Sequence, residues 1–198
     1  SYVELPHVQF FDPAEFTWAA DIEAATSEIR EELIGLLEKR GDTDFRAYIQ
    51  GETIRMDANR ELMKNKDWSA LFLCENSQIM METVQRCPRT WQPVQQAPLP
   101  NIATWGPTVM FSLLKAGARI RPHTGMFNTR LVCHLPLIVP SDCRFRVGNE
   151  IREWEVGKLM IFDDTIEHEA WNDSQEDRII LIFDIWRPEL TEQERQEL

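Results

Sequence analysis

Three of the chain's four histidines fall in its second half: His123 in Arg121-Pro-His-Thr-Gly125, His134 in Leu131-Val-Cys-His-Leu135 and His168 in Ile166-Glu-His-Glu169. Neutral imidazole is a common ligand of iron and other first-row metals. A jelly roll brings residues about 45 positions apart to one end of its barrel, so His123 and His168 are spaced to share one ion. Taken singly, each reads more readily as an ordinary hydrogen-bonded histidine. What raises the metal reading is Arg178, which leads the run Arg178-Ile-Ile-Leu-Ile-Phe-Asp-Ile185. A guanidinium cannot be neutralised, and heading an apolar strand is costly for it unless an anion pairs with it.

Strand alternation puts Arg178, Ile180, Ile182 and Asp184 on one face, and Asp184 lies too far along to pair directly. The sharper expectation is the carboxylate of a small co-substrate, held by two parallel hydrogen bonds from the guanidinium fork. Alternation also aligns Arg130, Val132 and His134 on one face of an earlier strand, which directs His134 at the same anion, and Ser112 adds a hydroxyl. Among the acids around His168, Asp164 is preferred over Asp163 as the group that hydrogen-bonds a metal-bound water or fixes an imidazole tautomer. Glu167 and Glu169 read as solvating a loop.

The elements that must position these groups follow from periodicity. Apolar residues recur at helical spacing over 18–40, with Gly41 where a C-terminal cap belongs. Residues 57–67 read as a short helix or surface loop, 71–73 as a short buried strand, 78–86 as a second helix and 91–100 as a loop or broken helix. Beyond Trp105-Gly-Pro107 the pattern changes to short β-like runs at 108–114, 118–122, 129–139, 144–147, 151–155, 158–162, 167–172 and 178–186. Gly148-Asn149 and Asp173-Ser174 read as hairpin tips. The prediction is a mainly β fold with some α: a jelly roll, or cupin-like double-stranded β-helix, buttressed by N-terminal helices. One domain over 1–198 is expected, with helices and leading strands to about residue 100 and the core over 101–190.

The net charge of −12 argues against non-specific binding to nucleic acid or anionic membranes. Residues 106–146 nevertheless carry +5 and the remainder −17, a distribution that suits capture of a small anion or describes a solvated basic face. Cys74, Cys87, Cys133 and Cys143 show no Cys-x-x-Cys spacing and read as buried thiols. Seven tryptophans, including Trp105, Trp154, Trp171 and Trp186, read as core and rim. No signal peptide and no membrane-length apolar run is visible, so a soluble, cytoplasmic chain without membrane insertion is expected. An anchor or further domain ahead of Ser1 stays compatible with that expectation.

The segments Arg121-Pro-His-Thr-Gly125, Cys143-Arg-Phe-Arg-Val-Gly-Asn-Glu150, Trp154-Glu-Val-Gly-Lys158, Ile161-Phe-Asp-Asp164, Glu167-His-Glu169 and Asp184-Ile-Trp-Arg-Pro-Glu-Leu190 resemble the aspartyl/asparaginyl β-hydroxylase family. The resemblance runs in order from about Cys87 to Arg195, and the first 80 or so residues carry little of it. It implies an oxygenase that uses iron(II), 2-oxoglutarate and O2. His123 and His168 match the iron-binding histidines, and Arg178 matches the arginine that clamps the distal carboxylate of 2-oxoglutarate. Ser112 matches a serine at that end, and His134 a histidine near the iron-chelating end. Gly125 stands where many related oxygenases carry a carboxylate, which leaves two protein ligands. One departure is Val132, where the family pattern has arginine; Arg130, on the same strand face, is the candidate substitute and a further co-substrate ligand.

The implied reaction is hydroxylation of the β-carbon of an aspartyl or asparaginyl residue, or of a related small or acyl substrate such as a lipid A chain. The expected partner is a peptide, protein or small molecule. Two readings compete. One is a catalytically inactive jelly-roll module that binds a metal or anion. The other is a zinc or manganese isomerase or hydrolase, which has no use for Arg178.

Overall fold

The β-like runs fold into two facing antiparallel sheets in the computed structural model, which describes residues 5–40, 45–47, 67–103 and 105–198. In chain order the strands are β1 (Phe10–Phe11), β2 (Arg46–Ala47), β3 (Trp68–Glu75), β4 (Gln78–Ile79), β5 (Val109–Leu114), β6 (Arg119–His123), β7 (Arg130–Ile138), β8 (Cys143–Val147), β9 (Glu150–Glu153), β10 (Met160–Phe162), β11 (His168–Asn172) and β12 (Arg178–Trp186). The larger sheet runs β1-β10-β7-β12-β5-β3-β2 with β4 paired to β3, and the smaller runs β6-β11-β8-β9. From β5 onward the chain passes back and forth between the sheets, with β8 and β9 as a hairpin. That winding is the expected double-stranded β-helix.

Alternation along β12 decides what each face meets. Ile179, Leu181, Phe183 and Ile185 pack into an apolar cluster with Ile22, Ile29 and Leu33 of the helices α1 (Ala19–Ala24) and α2 (Thr26–Arg40). Ile180 turns the other way, into the space between the sheets with Phe145, Phe162 and Ala170. A sheet covered on both faces reads as a nearly continuous apolar run, and β12 and β3 are buried almost throughout.

Several expectations need correction. The helix expected over 18–40 is two helices broken at Ala25, where the Thr26 hydroxyl donates to the Glu23 carbonyl at 2.6 Å and competes for the backbone. The stretch 78–86 opens as β4 and becomes α3 (Met81–Arg86) only afterwards. Asn76 and Ser77, both at positive φ, form the tight turn from β3 into β4. The strand expected at 71–73 is the middle of the longer β3. The stretch 91–100, expected as a loop or broken helix, is the end of α4 (Pro88–Val94) followed by loop, and Pro88 opens that helix at the first position, where its missing N–H costs nothing. Gly148-Asn149 does turn β8 into β9, but Asp173-Ser174 is no hairpin tip, because β11 and β12 lie in different sheets. Asn172 organises that crossover, donating to the carbonyls of Leu114 and Glu176. Gly41 and residues 57–66 lie outside the described residues. The chain closes with α5 (Glu192–Gln196) behind a Thr191 capping box. No described helix is long and apolar enough to cross a membrane.

Candidate functional site

Between the sheets lies a cavity of about 530 Å³ lined by His123, His134, His168, Ser112, Arg130 and Arg178, among others. Antiparallel pairing of β6 and β11 sets His123 directly opposite His168, with ring centroids 4.2 Å apart. The Nδ1 of His123 lies 2.7 Å from the Arg121 carbonyl, and that of His168 lies 2.9 Å from the Ile166 carbonyl. A carbonyl only accepts, so each ring carries its proton on Nδ1 and leaves Nε2 as a lone pair. Burial lowers the pKa of both rings, and with His123 beside it His168 falls to about 3. Two neutral, adjacent imidazoles are the protonation state a metal ion needs. Among the described residues no group of three or more His, Cys, Asp or Glu side chains assembles to hold a metal.

The position two residues after His123 is filled from elsewhere. Gly125 donates its N–H to the Asp164 carbonyl at 2.7 Å, and a Cβ at Gly125 would overlap the Asp164 carboxylate. Burial raises the pKa of Asp164, and Arg130 partly offsets the shift. Arg130 Nη2 donates to Asp164 at 3.1 Å and Nη1 to Asp184 at 3.0 Å, while the Thr108 N–H donates to Asp184 at 2.8 Å. Arg130 thus lines the cavity with its guanidinium bridging two buried carboxylates. The other acids around His168 have separate duties: Asp163 pairs with buried Arg187 at 2.7 Å, and Glu167 and Glu169 pair with Arg146.

At the far end Arg178 is only 1% exposed. Its Nη2 donates to Ser112 Oγ at 3.1 Å and approaches the Ser112 carbonyl at 3.4 Å, and its guanidinium lies over the Trp154 ring, 4.6 Å from the centroid. Its Nε has no hydrogen-bond partner, and no carboxylate among the described residues forms an ion pair with it. Burial lowers its pKa to about 9, which keeps it charged at neutral pH. Ser112 Oγ also accepts from Trp68 Nε1 at 3.1 Å, so both its lone pairs are engaged and its proton is left to donate. His134 accepts from Trp154 Nε1 at 3.2 Å through Nδ1, which assigns its own proton to Nε2.

All seven residues singled out from the sequence therefore line the cavity or, for Asp164, abut it at Gly125. Trp68 and Trp154 went unrecognised as parts of the site. The one available signal is that a buried indole N–H seeks an acceptor, and that signal does not say which acceptor.

The profile described as aspartyl/asparaginyl beta-hydroxylase matches residues 23–188. The human protein of that name is 36% identical over 141 residues, covering 71% of this chain and 18% of the relative. The ornithine lipid ester-linked acyl 2-hydroxylase of Rhizobium tropici is 32% identical over 190 residues, covering 94% of this chain and 63% of the relative. The chain thus spans under two thirds of either relative. Among solved structures, KdgF from a Halomonas species is similar with a TM-score of 0.38 at 12% identity, over 73% of this chain and 96% of that one. A cupin domain of Schizosaccharomyces pombe Cnp3 is similar over 41% of this chain and 56% of that one, with a TM-score of 0.35 and 9% identity.

Proposed function

The chain belongs to the aspartyl/asparaginyl beta-hydroxylase family, and on that premise we propose that it is an iron(II)- and 2-oxoglutarate-dependent dioxygenase that hydroxylates an unactivated C–H bond. The observation that carries this reading is Arg178. A buried guanidinium without a carboxylate partner, with a donating Ser112 hydroxyl beside it, is a receptor for a carboxylate. It shares one cavity with two adjacent imidazoles that carry their protons on Nδ1.

His123 and His168 would hold iron through Nε2. When bound, iron(II) and 2-oxoglutarate supply the oxidation: one atom of O2 enters the C–H bond, the other leaves in succinate, and carbon dioxide is released. Arg178 and Ser112 would hold the distal carboxylate, and the Nε2–H of His134 would donate to the end that chelates the metal. Asp164, in the space a side chain at 125 would take, would accept a hydrogen bond from a metal-bound water, with Arg130 as its positioning residue. This reading assigns Arg130 to Asp164 rather than to the co-substrate. Ile120, Phe145 and Phe162 line the cavity and exclude water from the reacting centre.

The relatives' names span an amino-acid side chain and a lipid acyl chain, so the family by itself leaves the substrate class open. The test is succinate release with iron(II), 2-oxoglutarate and O2 across peptides, free amino acids and acylated lipids. Arg178→Ala should raise the 2-oxoglutarate requirement sharply, and an unchanged requirement would favour a zinc or manganese isomerase or hydrolase. Val132 is the feature that favours an inactive binding module, which predicts no succinate with any substrate.

A further inference from the structure

His123 and His168 are fixed in different ways. The carbonyl that takes the Nδ1 proton of His123 belongs to Arg121, inside β6, where strand pairing holds the backbone. The carbonyl that takes the Nδ1 proton of His168 belongs to Ile166, in the loop between β10 and β11 and outside either strand. Something other than the sheet must hold that loop.

Asp163 and Arg187 do so. Both are buried, at 2% and 0% exposure, and neither lines the cavity. Arg187 directly follows β12, and its N–H donates to the Thr129 carbonyl just ahead of β7, which seats its backbone beside two central strands of the larger sheet. From there Nη1 donates to Asp163 at 2.7 Å, Nη2 donates to the Pro6 carbonyl at 2.6 Å, and Nε lies 3.3 Å from Glu189. The other Asp163 oxygen accepts from the N–H and the hydroxyl of Thr165, at 3.0 and 2.6 Å, and the Asp163 carbonyl accepts from the Ile166 N–H at 3.2 Å. Residues 163–166 thus form one turn hung on Arg187. That turn presents the Ile166 carbonyl to His168 Nδ1 at 2.9 Å and the Asp164 carbonyl to the Gly125 N–H at 2.7 Å. A buried ion pair adds little net stability over an apolar pair of the same bulk, so stability is a poor account of these two charges. A planar guanidinium with several fixed N–H directions sets orientation as well as distance.

We infer that the Asp163–Arg187 ion pair is a positioning device for the site: it holds the 163–166 turn so that the Ile166 carbonyl keeps the His168 proton on Nδ1 and Asp164 stays against Gly125. The pair lies outside the cavity and acts through His168. Its role as support for a metal ligand rests on the reading proposed above, whereas its control of the His168 tautomer does not.

The test uses the double variant Asp163→Leu/Arg187→Met, which removes both charges together, leaves no uncompensated ion and should melt close to wild type. Long-range proton–nitrogen NMR spectra of the imidazoles, recorded at neutral pH without metal, should show His168 as the Nδ1–H tautomer alone in wild type and as a mixture of tautomers in the variant. His123, held within β6, should keep its tautomer in both. Equilibrium dialysis with Mn(II) alone should show a Kd raised roughly 10- to 100-fold, the loss typical of removing an outer-shell partner. Should the double variant fail to fold, Thr165→Val, at a partly exposed position, removes one hydrogen bond of the turn and should raise the Mn(II) Kd roughly fivefold. A folded variant of either kind with the wild-type His168 tautomer and wild-type Mn(II) affinity would overturn the inference. Wild type that binds no Mn(II) would instead remove the metal reading, and the tautomer comparison would still decide the positioning role.

Discussion

A fully buried arginine without an acid partner should weaken the fold that contains it, and that cost gives Arg178 a test independent of turnover. Arg178→Met removes the charge and keeps the bulk. The variant without ligand should melt at or above the wild-type temperature. Wild type with Mn(II) should gain about 2.7 kcal/mol when 2-oxoglutarate stands at about 100 times its Kd, and the variant should gain nothing. Scanning calorimetry with and without 2-oxoglutarate reads both; a strongly destabilised variant would mean that the Ser112 hydrogen bond and the Trp154 contact already repay the burial. The histidine pair makes a separate claim. His168→Ala should weaken Mn(II) binding in equilibrium dialysis by more than the roughly 10- to 100-fold typical of losing an outer-shell partner, because a direct ligand is removed. Arg178 was legible because a charge heading an apolar strand is expensive, whereas the two histidines, each ordinary on its own, were singled out by their spacing, by Arg178 and by the family resemblance.

Between elements, the informative contact joins the loop after β6 to the loop between β10 and β11. There Gly125 leaves the space that the Asp164 carboxylate occupies. Restoring the carboxylate that other oxygenases carry at this position should therefore fail. Gly125→Asp is expected to cost about 1–3 kcal/mol by overpacking and to leave Mn(II) affinity no better than wild type. Chemical denaturation and a Mn(II) titration check this; tighter metal binding in the variant would show that the space is free. Strand identities in this half were readable from period-two alternation, which depends on neighbours in sequence. The break at Ala25 and the turn of Asn76-Ser77 into β4 were not, because a side-chain hydroxyl and two positive-φ residues override the helical pattern locally. Asp173-Ser174 misled for another reason: a turn-like composition does not reveal that the flanking strands belong to different sheets.

Across the whole molecule, the +5 of residues 106–146 looks different in space. Lys115 pairs with Asp177, Arg119 with Asp173, Arg144 with Glu153, Arg146 with Glu167 and Glu169, and Arg130 with Asp164 and Asp184. Acids from distant segments offset the basic stretch, which weakens the expectation that it attracts an acidic substrate. The four cysteines are free and buried, as their spacing indicated. Burial pushes Cys87 up to about 12, with Glu32 adding to the shift. An unfolded thiol ionises near 8.5, so above that pH the unfolded chain binds fewer protons than the folded one and stability falls as pH rises. Relative to Cys87→Ala, wild type should lose about 1.4 kcal/mol per pH unit between roughly pH 8.5 and 12. Urea denaturation of both proteins at successive pH values measures the slope, and parallel curves would refute it.

The sequence by itself determined the strands from β5 onward and, for β7 and β12, which residues share a face, because alternation and the cost of burying charge are local properties. Tertiary structure decided what those residues meet. Only β-sheet register sets His123 against His168 and Arg130 within reach of Asp184, and only the closing of the two sheets puts Asp164 against Gly125 and Trp154 beside both His134 and Arg178. These partners lie as much as 54 residues apart, and the interactions between them act over a few ångströms, a distance that chain order does not encode.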